Sequence, residues 1–171
     1  RKRKRWIRDR AKTMFKSLLL FTSLFLFLVS ISVSAQVSNP DLIINEIMPN
    51  PIGSDTDYEW MELKNTTNKT LLLNEWELNG DILPETYISP GEIFLISRNV
   101  DKVFEKYSPH VRNIQTSFSL SNSGATLTLN NITNSDTSDF IYSSSTEGIS
   151  FELLEGNCNK IEKHHSSNSI G

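Results

Sequence analysis

The sequence predicts an all-β fold, a sandwich or barrel of eight or nine short strands that carries one short helix. Short β-rich runs recur at roughly 8–12-residue intervals, the spacing of sandwiches and barrels. Pro, Gly, Asn, Asp and Ser punctuate those runs at turn positions. A single stretch has the period of a helix instead.

Residues 41–48 (DLIINEIM) form the first strand, bounded by Asn39-Pro40 and by Pro49-Asn50-Pro51. In residues 59–64, Glu59, Met61 and Leu63 alternate with Trp60, Glu62 and Lys64, as in a half-buried strand. Residues 71–73 and 76–78 follow, separated by Asn74-Glu75 and closed by Asn79-Gly80-Asp81. Residues 86–89 and 92–97 flank Pro90-Gly91, where the Pro presets φ and the Gly allows φ > 0, a type II turn. Next come 117–120 and 125–129, read as a hairpin across Ser121-Asn122-Ser123-Gly124, and then 140–142 and 150–154. The helix is residues 100–107. Val100, Val103, Phe104 and Tyr107 fall on one stripe, Asn99 can cap it, and Ser108-Pro109 ends it.

The chain has 171 residues, 17 Lys+Arg against 20 Asp+Glu and one cysteine. Its charge is divided. Residues 1–35 carry nine basic residues and one Asp, which leaves eight basic and nineteen acidic residues in 36–171, a net of −11. No nucleic-acid partner is expected of so acidic a body, because phosphate contacts need Lys/Arg clusters. One cysteine excludes a disulfide framework and a Cys-based zinc site. In an oxidising compartment Cys158 is buried, free, or paired with another chain.

Residues 1–35 read as a basic lead and an export signal. Met14 is followed by the apolar run 18–33, short against the about 20 residues of a spanning helix. The run ends in Val33-Ser34-Ala35, small residues where a signal peptidase cuts, so Gln36 is expected to start the mature chain, the alternative being an uncleaved amino-terminal anchor. Arg1–Thr13 is either a long lead or sequence upstream of a start at Met14. Residues 36–40 are a linker, 41–158 the sandwich domain and 159–171 a polar tail that holds His164-His165. The expected location is secreted or cell-surface, with membrane contact only through the export segment.

The order of the motifs resembles the lamin tail domain, in the version found on exported bacterial proteins. The matching stretches are 43–51 (IINEIMPNP), 58–65 (YEWMELKN), 73–78 (LNEWEL), 88–98 (ISPGEIFLISR), 118–124 (FSLSNSG) and 147–153 (EGISFEL). Together they span most of residues 41–158. The resemblance implies an immunoglobulin-like β-sandwich without catalytic activity, used for protein or ligand binding, adhesion, or the positioning of a neighbouring domain. Metazoan lamins carry the domain behind a coiled-coil rod and a nuclear import signal. This sequence has neither, so filament function is not implied. The family pattern runs on past the position of Gly171, and a longer protein is therefore expected.

Candidate chemistry is sparse. Asp55, Asp57 and Glu59 form an oxygen-rich loop of the kind that suits Ca²⁺, with Glu46 and Glu62 as neighbours across paired strands. The spacing is not that of an EF-hand, and the bland alternative is a solvated acidic loop. Glu59 and Glu62 are a poor acid–base pair, because positions three apart on a strand face opposite ways. Trp60 and Trp76 are expected in the core. Exposed beside Tyr58, they would instead stack on a sugar ring and make the chain a carbohydrate-binding sandwich. A third reading is an accessory domain of a larger secreted nuclease or phosphatase. The expected partners are a protein or a cell-surface glycan, with no catalytic residue and no cofactor beyond that Ca²⁺ candidate. Asn65, Asn68 and Asn131 each begin an Asn-x-Thr sequence, the acceptor pattern for N-glycosylation.

Overall fold

The computed structural model of the chain describes residues 39–154 and the backbone of residues 161–165. The export segment and Cys158 lie outside the described residues. Two antiparallel-rich sheets pack face to face as an immunoglobulin-like β-sandwich. The strands are β1 (Leu42–Met48), β2 (Trp60–Asn65), β3 (Leu71–Leu72), β4 (Trp76–Leu78), β5 (Asp81–Ile82) and β6 (Tyr87–Ile88), continuing with β7 (Ile93–Ser97), β8 (Arg112–Gln115), β9 (Ala125–Asn131), β10 (Thr137–Tyr142), β11 (Ile149–Leu153) and β12 (Ile161–His165). Helix α1 is one turn, Asp55–Tyr58, and α2 is Val100–Tyr107. The larger sheet runs β12-β11-β1-β2-β7-β8, the smaller β10-β9-β4-β5, and β3 pairs with β6 beside them.

The main core fills the space between the sheets. Ile44, Ile47, Met61, Leu63, Phe94, Ile96 and Phe151 from the larger sheet meet Trp76, Leu78, Leu127, Leu129 and Phe140 from the smaller. Ile44 and Ile47 are three residues apart, and on a regular strand they would face opposite ways. The register of β1 on β2 shifts between Ile44 and Glu46, so Asn45 is the extra residue of a bulge that turns both isoleucines inward.

The outer face of the larger sheet carries a second core. Met48, Trp60 and Leu95 are covered there by Val103 of α2, with Tyr107 and Val111 packed alongside. The Tyr107 ring meets Trp60 edge-on at 6.2 Å between centroids. Parallel strands need a crossover, and α2 supplies it between β7 and β8. The Asn99 side chain accepts the Lys102 N–H at 3.2 Å, and Ser108 closes the helix in the left-handed region at φ 48°.

Several expectations are corrected. β2 is buried on both faces: Trp60, Met61, Glu62 and Leu63 are all inaccessible, because the second core covers the face a lone sheet would leave wet. Phe104 leaves the helical stripe and is 57% exposed, while Val103 and Tyr107 are the residues of the stripe that pack on the outer core. Residues 117–120 alternate in exposure but belong to no sheet, and the edge strand is β8, whose polar Arg-Asn-Ile-Gln sequence lacks an apolar run. No hairpin forms across Ser121–Gly124. The two-residue hairpin turn is Asn79-Gly80 between β4 and β5, with φ of 52° and 94°. β12 pairs with β11 inside the stretch read as a polar tail.

The helix face is testable in one pair of variants. Val103→Ala is expected to cost about 2 kcal/mol by opening the outer core. Phe104→Ala is expected to stay within about 0.5 kcal/mol. Urea unfolding midpoints of the two variants distinguish this arrangement from a stripe centred on Phe104.

Candidate functional site

The acidic loop is brought together by α1. Tyr58 and Glu59 donate their backbone N–H groups to the Ser54 and Asp55 carbonyls at 3.0 Å, and this single turn splays the three carboxylates apart. Asp55 Oδ2 accepts from the Asn122 side-chain amide at 3.0 Å. Asp57 Oδ1 accepts from the Asn99 side-chain amide at 3.2 Å. Glu59 is 1% exposed, accepts from Arg98 Nη1 at 3.4 Å and also takes the backbone N–H of Leu120. The candidate cation ligands therefore tie α1 to three different elements: the Ser121–Gly124 turn, the cap of α2, and the end of β7 with residues 116–120. Among the described residues no group of three His, Cys, Asp or Glu is arranged to hold a metal ion.

Glu46 and Glu62 do face one another across β1 and β2, and Glu152 continues their row on β11. Glu62 Oε2 accepts from Asn45 Nδ2 at 3.0 Å, which anchors the bulge. Glu59 and Glu62 engage different partners, so the two are not poised over one substrate.

The aromatic residues divide in the same way. Trp60 and Trp76 are both 0% exposed, one in each core, as expected of core residues, which leaves the sugar-stacking alternative without an open ring at either position. Their rings supply the largest fully buried side chains in the sandwich, and packing takes both faces of each. Tyr58 is half-buried, and the Lys106 ammonium sits 4.0 Å above its ring centroid while donating to the Ile52 carbonyl. Burial lowers the Lys106 pKa and pushes the Tyr107 phenol up to about 12.

Two of the three Asn-x-Thr sequences are closed by the fold. Asn65 is fully buried at the end of β2. Its amide nitrogen reaches the carbonyls of Lys69, Ile88 and Ser89 at 2.7, 3.1 and 2.9 Å, and its oxygen accepts the Thr67 N–H and hydroxyl. Asn131, 4% exposed, accepts the same pair of bonds from Thr133. Both are Asx turns that link strands, and a glycan on either nitrogen would have no room. Asn68 is exposed.

Glu59 ionises above the ordinary carboxylate value of 4.5, because burial outweighs the opposing pull of Arg98. Between 4.5 and its raised value the folded chain keeps a proton that the unfolded chain has lost, so this group's contribution to stability falls as pH rises through that window. The urea midpoint of the native chain is expected to fall relative to that of Glu59→Gln from pH 4.5 upward. Parallel profiles would show that Glu59 is not the titrating group.

The family model of the lamin tail domain matches residues 35–145. No curated protein and no solved structure matches the chain.

Proposed function

The chain belongs to the lamin tail domain family, and on that premise we propose that it is an exported, non-catalytic module that binds a protein partner or positions a neighbouring domain. The domain itself is a non-catalytic immunoglobulin-like fold. The observation that carries the reading is the use made of the acidic loop: Asp55, Asp57 and Glu59 each hold a different structural element. Catalysis by paired carboxylates needs two of them converging on one bond, and these diverge. The run 18–33 ending in Val33-Ser34-Ala35 supports export. Burial of Trp60 and Trp76 weighs against the carbohydrate-binding alternative, since neither ring has a free face. The net charge of −11 over residues 36–171 favours a partner with basic groups over a nucleic acid.

Two measurements on the full chain test this. Expressed in a secreting host, it should appear outside the cell with Gln36 at its amino terminus by mass spectrometry; retention with an intact leader would contradict export. The purified chain should not turn over bis-p-nitrophenyl phosphate, p-nitrophenyl phosphate or p-nitrophenyl glycosides above the buffer rate. Turnover that tracks the protein through purification and is lost in Glu59→Gln would contradict the non-catalytic reading.

A further inference from the structure

On one flank of the sandwich a segment with a strand's side-chain pattern has no paired neighbour among the described residues. After β8, the Thr116 N–H is tied to the Ser97 carbonyl at 2.9 Å, and the Leu120 N–H is held by the Glu59 carboxylate. Between these two anchors residues 117–119 make no backbone hydrogen bond among the described residues. They keep strand alternation nonetheless: Ser117 and Ser119 face solvent, Phe118 is half-buried and Leu120 is buried. This explains why the sequence reads as a strand where no ladder forms. The side-chain pattern is present, and no neighbouring strand pairs with it among the described residues.

A groove of about 500 Å³ runs beside this segment. Its floor is Leu78, Leu83, Leu120 and Leu127, and its far wall is β5, the outer strand of the smaller sheet. β5 is two residues long, both are exposed, and Ile82 is 64% exposed on the rim. The ionisable group on the lining is Asp81, with no Lys or Arg beside it. Unpaired main-chain donors and acceptors beside an apolar floor are the elements of strand addition, in which backbone bonds give affinity and alternate side chains give specificity.

We propose that this groove binds an extended peptide segment of a partner protein, which hydrogen-bonds to residues 117–119, sets alternate apolar side chains on the leucine floor, and places a Lys or Arg against Asp81. The free edge spans about 10 Å at strand rise, enough for one short segment. Cationic character in the partner follows from the charge of the lining and of the acidic body around it. The proposal rests on reading the chain as a binding module, but its readout does not depend on the enzymatic assays above.

Amide hydrogen exchange by NMR on the full chain tests it, with an acetylated and amidated peptide Lys-Thr-Val-Thr-Val-Thr-Val-Lys as the probe. In the free chain the amides of residues 117–119 should exchange at the unprotected rate while Leu127 and Leu129 are protected. At millimolar probe they should slow about tenfold, with shift changes confined to these residues and to Asp81 and Ile82. The same peptide N-methylated at alternate amides should have no effect, and Asp81→Asn should weaken binding of the parent peptide. Protection of residues 117–119 in the free chain would overturn the proposal, as would shifts elsewhere or no response to the probe. Protection that rises with chain concentration alone would replace the partner peptide by a second copy and would overturn it too.

Discussion

β2 lies between two cores, and the rest of the sandwich is arranged around that fact. Its inward residues Met61 and Leu63 meet the smaller sheet, while Trp60 on the opposite face is roofed by α2. Burying a side chain of this size contributes about 1.5–3 kcal/mol, so a strand buried on both faces concentrates stability in a few residues. Both of its neighbours are set by the same requirement. β1 takes a bulge at Asn45 so that Ile44 and Ile47 can both reach the inner core, and β7 supplies Phe94 and Ile96 to one side and Leu95 to the other. α2 is a crossover, yet its main energetic role is to keep water from Trp60.

A fold that buries so much of one strand must also satisfy the polar groups buried with it, because an unpaired buried amide or carboxylate costs on the order of 1–3 kcal/mol. At the two ends of β2 the structure meets this with side chains that double as ties. Asn65 ends β2 by joining it to the loop after it and to the strand β6. Glu59 starts β2 by joining it to Arg98 and Leu120. Asp55 and Asp57 extend the same network to the turn and the helix cap. Residue types that suggested metal binding or sugar contact are thus largely committed to architecture.

Much of this was legible in the sequence, for identifiable reasons. The helix was readable to the residue because Asn99 and Ser108-Pro109 mark both ends around an apolar period. Pro90-Gly91 gave its type II turn away, with Gly91 at φ 71°. Three of the four edge strands of the two main sheets were not readable: β5, β8 and β12 are short or polar, and edge strands need no apolar alternation to pair. Residues 117–120 misled in the opposite sense, since alternation reports which way side chains point and not whether the backbone has a neighbour. At the acidic loop the residue types were visible, but their divergence depends on one turn of helix at Asp55–Tyr58 whose stabilising bonds come from Asn99 and Asn122, far along the chain.

If the two cores share β2 as described, neither can melt alone. The most direct measurement is equilibrium urea unfolding of the full chain labelled with 5-fluorotryptophan and followed by ¹⁹F NMR, with the three signals assigned through Trp→Phe variants. Trp60 reports the core under α2 and Trp76 the core between the sheets. The two native signals should vanish with the same midpoint, as one cooperative transition. Loss of the Trp60 signal while that of Trp76 persists would show that the helix and its core are an appendage, and would contradict this account.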